Sequence, residues 1–120
     1  MERMMIVEDH SAFAQALELV LGPDTRISLA RTLEEGRAMI GTSDPFDVVV
    51  LDLSLPDGEG TDLIPEIRER HPRTSVVVLS AREDVGEVAS EAGADVAIPK
   101  ETPLPEIIAS LRRLAEQDYR

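Results

Sequence analysis

Short β-branched apolar runs alternate along the chain with longer amphipathic segments. The runs are Met4–Val7, Ile27–Ala30, Val48–Leu51, Val76–Leu79 and Val96–Ile98. Each is bounded by polar residues, Gly or Pro, which predicts strands. In the first intervening segment, Ala12–Leu21, Phe13, Ala16, Leu17 and Val20 recur at helical spacing, with Ser11 as N-cap and Gly22-Pro23 as the stop. The second, Thr32–Ile40, puts Leu33, Gly36 and Ile40 on one side, with Thr32 as cap, Glu35 completing a capping box and Gly41 at the end. The third, Thr61–Arg70, follows the loop Pro56-Asp57-Gly58-Glu59-Gly60, and its Pro65 is tolerable only near a helix start. The fourth, Asp84–Ala92, is weakly apolar and stops at Gly93; the last runs from Leu104 to Gln117 with Ile107, Ile108, Leu111 and Leu114 on one stripe.

Strand–helix alternation implies parallel strands joined by right-handed crossovers, with helices on both faces of the sheet. Val48–Leu51 and Val76–Leu79 are apolar throughout, as strands buried on both faces should be, whereas Arg26 and Ser28 suit the second strand to an edge. The fold class expected is α/β, a doubly wound five-stranded parallel sheet of order 2-1-3-4-5 that binds ligands beyond the carboxyl ends of its strands. The length of 120 residues is that of a single domain, residues 1–120.

Composition narrows the chemistry. The formal charge of −12 repels nucleic acid and anionic lipid, so this domain itself is not expected to bind DNA or a membrane surface. Cysteine is absent, which removes disulfides, thiol catalysis and thiolate metal sites together. Two histidines, His10 and His71, are too few for a structural zinc site. No apolar run approaches a membrane span and no secretory signal is visible, so a cytoplasmic location is expected. Lys100 is the only lysine in a chain otherwise using arginine.

The residues just past the strands form a short list: Glu8 and Asp9 after the first, Asp52 after the third, Ser80 after the fourth and Lys100 at the end of the fifth. In the expected sheet the first and third strands are neighbours, so Glu8, Asp9 and Asp52 converge. Two bare carboxylates ~4 Å apart repel by about 4 kcal/mol at an effective dielectric near 20, so such a cluster needs a proton or a cation. A hard, oxygen-ligated divalent ion such as Mg²⁺ answers that need. A carboxylate can attack phosphorus to form an acyl phosphate, a lysine ammonium pairs with phosphoryl oxygens, and a serine hydroxyl can donate to one. Asp52 is the best nucleophile because it ends the most buried strand.

With these residues assembled, the set VED, VVVLDLSLPDGEG, VVVLSA and GADVAIPK resembles the receiver domain of two-component response regulators, from Met4 to about Ala115. The resemblance implies a flavodoxin-like (βα)5 fold. It implies Asp52 as phosphoacceptor, Mg²⁺ held by Asp9 and Asp52 directly, by Glu8 through a water and by the backbone carbonyl of Ser54, Lys100 as phosphoryl partner and Ser80 as switch hydroxyl. Pro56 and Gly60 match the family's loop. The implied partner is a sensor histidine kinase or phosphotransfer protein, and the implied product is a signalling change in protein binding rather than sustained turnover. The tail KETPLPEIIASLRRL is similar to receivers that precede a DNA-binding output domain in a longer chain.

Two departures stand out. Ala97 occupies the position, three before the lysine, where receivers usually carry an aromatic ring, and no proline follows Lys100. Two other functions compete. An aspartyl-nucleophile phosphatase would carry a second acid two residues past the nucleophile, where this chain has Ser54. A phosphorylation-independent interaction domain would not need the full set of Glu8, Asp9, Asp52, Ser80 and Lys100. Of the remaining polar residues, His10 reads as a helix-entry residue and His71 as solvent-facing at a helix end. Arg82 reads either as a control on water access to the phosphoryl group or as a surface charge. Arg112 and Arg113 read as the exposed side of the last helix, open to a second copy of the chain or to an output domain.

Overall fold

All five expected strands form, and all but the third extend a residue or two further than the apolar runs. The structure, a computed structural model, describes residues 2–116. The large sheet contains β1 (Glu2–Val7), β2 (Thr25–Ala30), β3 (Val48–Leu51), β4 (Ser75–Ser80) and β5 (Val96–Pro99). All its pairings are parallel, in the order 2-1-3-4-5, with β2 at one edge. The helices are α1 (Ser11–Leu21), α2 (Leu33–Thr42), α3 (Ile64–Arg70), α4 (Val85–Ala92) and α5 (Leu104–Glu116). This is the flavodoxin-like α/β fold.

Alternation along the strands divides the core, since successive side chains leave opposite faces. Met4, Ile6, Val48, Val50, Val77 and Leu79 meet Leu17 and Leu21 of α1 and Ile107, Ile108 and Leu111 of α5. Met5, Val7, Val49, Leu51 and Val76 meet α2 and α3 through Leu33, Ile40, Ile64 and Ile67. Val78 meets Val85 and Ala89 of α4. Leu17 and Leu111 are fully buried, and each contributes roughly 1.5–3 kcal/mol of transfer free energy.

Helix ends account for most local differences from expectation. His10, not Ser11, occupies the N-cap of α1 and gives no side-chain cap. The buried face of α1 is Ala14, Leu17 and Leu21; Val20 lies outside it, and Leu19 is 79% exposed. Gly22-Pro23 does not end the chain's turning but continues it into a 3₁₀ turn, Gly22–Asp24. Gly41 lies within α2, which runs to Thr42 before Ser43. The third helical segment opens as a 3₁₀ turn, Gly60–Leu63, and becomes α-helical at Ile64, so Pro65 falls in the first α-turn where its missing N–H costs nothing. Gly93 ends α4 in the left-handed conformation at φ 90°, a cost-free geometry for glycine. The predicted end of the last helix, Gln117, lies outside the described residues.

The N-terminus of α2 is held from two sides. Thr32 Oγ1 accepts the Glu35 N–H at 3.0 Å, while the Glu35 carboxylate reaches the N–H of Arg31 at 2.7 Å rather than that of Thr32 itself. The Asp57 carboxylate, from the loop after β3, accepts the N–H groups of Leu33 (2.8 Å) and Glu34 (3.1 Å). These bonds, the Leu33 one foremost, hold the Asp57 pKa below its ordinary value. The loop that follows Asp52 is thereby tied to a helix on the same rim.

His71 corrects a sequence expectation. It ends α3 but is 5% exposed, its ring tilted against Phe46 with centroids 6.0 Å apart. A turn closed by the Thr74 N–H on the His71 carbonyl at 3.1 Å follows the helix, and the imidazole lies beside Phe46 instead of in water. Burial, then the charges of Arg70 and Arg3, push its pKa below the ordinary value. Among the described residues no helix is long and apolar enough to cross a membrane.

Candidate functional site

Parallel register creates the site. Val7 pairs with Leu51, so the next residues, Glu8 and Asp52, leave adjacent strands at the same level. The Asp52 N–H donates to the Val7 carbonyl at 3.0 Å and the Glu8 N–H to that of Ala30 at 2.9 Å, extending the ladder to the carboxylates themselves. Asp9 follows in the β1–α1 turn. One carboxylate oxygen from each of Glu8, Asp9 and Asp52 falls within 4.8 Å of the others. Glu8 and Asp52 are buried at 4% and 6% exposure and Asp9 is exposed, so the cluster opens to solvent on one side.

Lys100 is the counter-charge. Its backbone N–H donates to the Ser80 carbonyl at 2.9 Å, which anchors the end of β5 to β4. Its Nζ lies 2.8 Å from Glu8 Oε1 and 3.3 Å from Asp52 Oδ2. Burial by itself would lower the lysine's pKa; the hydrogen bond and charge of Glu8, with the charge of Asp52, outweigh it and hold the pKa above the ordinary value. Burial raises the pKa of Glu8, the Lys100 hydrogen bond opposes this, and the nearby Asp52 charge adds to it. One ammonium against three carboxylates leaves a net negative site, the electrostatic condition for taking up a divalent cation. The donors are all oxygen, as Mg²⁺ requires, and the open side leaves room for waters.

The other expected residues border this centre. The Ser54 N–H donates to Asp52 Oδ1 at 3.2 Å, fixing the carboxylate's rotation. Ser54–Leu55 pairs antiparallel with Gly58–Glu59 in a two-residue ribbon that carries the loop. Ser80 is buried at the end of β4, and its Oγ accepts the Arg82 N–H at 3.2 Å. Arg82 grips Asp84 through two bonds of 3.0 and 2.9 Å and reaches Glu59 at 3.3 Å, so it links the loop after β4 to the loop after β3. His10 is exposed and touches the centre only through its N–H, which donates to Glu8 Oε2 at 3.0 Å. Arg112 is spent on the Val20 carbonyl (3.0 Å) and the Asp24 carboxylate (3.6 Å).

Three contributors were not visible as such in the sequence. Gly60 reads there as a turn residue that matches the resembled family's loop, but a Cβ on it would stand 2.0 Å from the Asp52 carbonyl oxygen, so glycine alone lets the 3₁₀ turn close against the Asp52 backbone. Asp57 gave no signal beyond its turn-forming type. Phe13 reads as core, yet its ring centroid lies 4.9 Å from Lys100 Nζ. The carboxylate site is not the roomiest hollow: a cleft of about 370 Å³, lined by Phe46, Asp47, His71, Ser75 and Leu114, lies at the opposite end of the strands. Charge and strand-end convergence, not volume, distinguish the site.

Comparison with known proteins agrees with this geometry. Residues 4–112 match the family model of the response regulator receiver domain. The chain is 37% identical over 115 residues to the KDP operon transcriptional regulatory protein KdpE of Escherichia coli, covering 93% of this chain and 50% of KdpE. It spans half or less of the length of the curated relatives PilR and KdpE. The non-phosphorylated HemR receiver domain of Leptospira biflexa superposes with a TM-score of 0.86 at 32% identity, covering 100% of this chain and 98% of that one. The BeF3-activated receiver domain of DrrB, a Thermotoga maritima protein, superposes with a TM-score of 0.84 at 28% identity, covering 98% and 99%.

Proposed function

The chain belongs to the family of response regulator receiver domains, and on that premise we propose that it is a Mg²⁺-dependent phosphoacceptor switch whose acceptor is Asp52. The carrying observation is the placement of the Asp52 carboxylate at the end of a central strand, within the cluster of Glu8 and Asp9 and 3.3 Å from Lys100 Nζ. As the family resemblance implies, Asp9 and Asp52 would hold the metal directly, Glu8 through a water, and the Ser54 carbonyl would add a further oxygen. When bound, Mg²⁺ neutralises charge on the phosphoryl oxygens.

Asp52 attacks phosphorus through a carboxylate oxygen. The bond from phosphorus to the donor breaks, and its electron pair leaves with the donor: the imidazole of a phosphohistidine on a sensor kinase or phosphotransfer protein, or the carboxylate of a small acyl phosphate. The Ser54 N–H on Asp52 Oδ1 fixes which oxygen faces the incoming group. Lys100 pairs with the phosphoryl oxygens, and the Ser80 hydroxyl turns from its present contact to donate to one of them. The acyl phosphate persists until water cleaves it, and the product of the event is altered protein binding. DrrB, whose receiver domain is known in a BeF3-activated form, supports this reading by similarity.

In this reading residues 1–120 are one domain of a cytoplasmic signalling protein, either a single-domain regulator or a receiver joined in a longer chain to a DNA-binding output domain, and in either case able to pair as a homodimer. The deciding experiment is intact-mass spectrometry after incubation with acetyl phosphate and Mg²⁺. One phosphoryl group should add to the wild type and none to Asp52→Asn, because an amide is a far poorer nucleophile. Asp9→Ala should lose labelling at subsaturating Mg²⁺. Equal labelling of Asp52→Asn would sink the assignment.

A further inference from the structure

Among the described residues three groups meet the charged end of Lys100, and two of them are claimed by the chemistry just described. Nζ lies 2.8 Å from Glu8 Oε1, 3.3 Å from Asp52 Oδ2 and 4.9 Å from the centroid of the Phe13 ring. A divalent cation at the cluster draws on the same Glu8 and Asp52 oxygens and repels the ammonium. A phosphoryl group on Asp52 turns that carboxylate into a mixed anhydride with no full charge of its own. The ring is the only one of the three contacts that neither event consumes. A benzene face attracts an ammonium through its quadrupole and has no affinity for a hard, hydrated Mg²⁺.

The placement of Phe13 is rigid enough for such a role. It lies on the first turn of α1, half-buried, packed against the core that α1 and α5 share with the sheet. The Lys100 side chain is 18% exposed, so the ring acts on a partly desolvated charge, where the attraction is stronger than at an open surface. An aliphatic residue at position 13 would fill the core equally well and offer the ammonium nothing.

We propose, resting on the phosphoacceptor reading, that Phe13 is a positioning residue for Lys100. Its ring keeps the ammonium at the rim while metal and phosphoryl group engage Glu8 and Asp52. The lysine then meets the phosphoryl oxygens already ordered instead of being released into solvent, where its four-carbon stem would have to be ordered again.

The chain's single lysine makes the test direct, because isotopically labelled lysine reports Lys100 alone. In the metal-free protein its ε-methylene protons should be shifted upfield by the ring, normal in Phe13→Leu and shifted again in Phe13→Tyr. The shift should persist when Mg²⁺ and beryllofluoride, a phosphoryl mimic, are added. At saturating Mg²⁺, Phe13→Leu should bind beryllofluoride about 3- to 10-fold more weakly, part of the cost of ordering a freed lysine stem again, while its affinity for Mg²⁺ alone stays within about twofold. In a Lys100→Ala background, Phe13→Leu should change nothing further, which a general packing defect would not obey. Identical lysine spectra in wild type and Phe13→Leu, or equal beryllofluoride affinity, would overturn the proposal with the phosphoacceptor reading intact. A wild-type chain that takes up no beryllofluoride would overturn that reading and this role with it.

Discussion

The Lys100 ammonium sits 2.8 Å from Glu8 Oε1, on one of the carboxylates that would hold the proposed metal ion. On that proposal lysine and divalent cation would compete for Glu8. Lys100→Met should bind Mg²⁺ more tightly than the wild type, by about tenfold, since a full positive charge close to the cluster is removed. The same variant should be less stable without metal, because buried Glu8 and Asp52 lose their counter-charge. Calorimetric titration with Mg²⁺ measures both affinities; weaker binding by Lys100→Met would contradict the competition.

Gly60 is placed so that any side chain collides with the backbone of Asp52, its ideal Cβ standing 2.0 Å from the Asp52 carbonyl oxygen. Gly60→Ala should cost about 2–3 kcal/mol in urea unfolding, since backbone rather than a pliable side chain is in the way. It should also slow phosphoryl uptake, because the strain acts on Asp52 itself. A loss below ~0.5 kcal/mol would mean the turn relaxes freely.

His71 makes stability depend on pH. Its folded pKa lies below the ordinary 6.5 because burial disfavours the charged ring. Below 6.5 the unfolded chain therefore binds more protons at this residue than the folded one. The contribution is whole above 6.5, falls as pH drops from 6.5 towards the folded pKa, and changes no further below that. Urea midpoints between pH 7.5 and 5 should fall more steeply for the wild type than for His71→Leu. Parallel curves would show that the imidazole stays neutral or is solvated in both states.

The loop after β4 is where a phosphoryl signal should register. Ser80 Oγ holds the Arg82 N–H, and Arg82 in turn holds Asp84 and Glu59. Turning the hydroxyl inward withdraws one anchor of that chain. Ala97, half-buried beside α4, has no ring to relay the movement into β5. Amide exchange with Mg²⁺ and beryllofluoride should show added protection at Ser80–Asp84 and less change at Val96–Ile98. Ser80→Ala should still be labelled at Asp52 but lose the loop response. A silent loop with a larger change in β5 would reverse the assignment.

The order of elements, the parallel sheet and the residues at its rim were legible in the sequence for a local reason. Periodicity separates strands from helices, alternation forces crossovers, and the residue after each apolar run must emerge at a strand end, as Glu8, Asp52 and Ser80 do. The departure at Ala97 was equally plain, being a matter of residue type at one position. What the sequence could not carry is the meeting of distant groups. Phe13 and Lys100 are far apart along the chain, and only the closing of the fold, which brings the Lys100 side chain to the first turn of α1, sets an ammonium on a ring. Asp57 belongs to a turn by composition, but the close approach of the loop after β3 to α2 makes it a helix cap. His71, polar and beside a proline, reads as exposed; tertiary burial against Phe46 decides otherwise, because a neutral imidazole is apolar enough to enter a core. Pattern along the chain determines which elements form and in what order, whereas the partners of each side chain follow from how those elements close on one another.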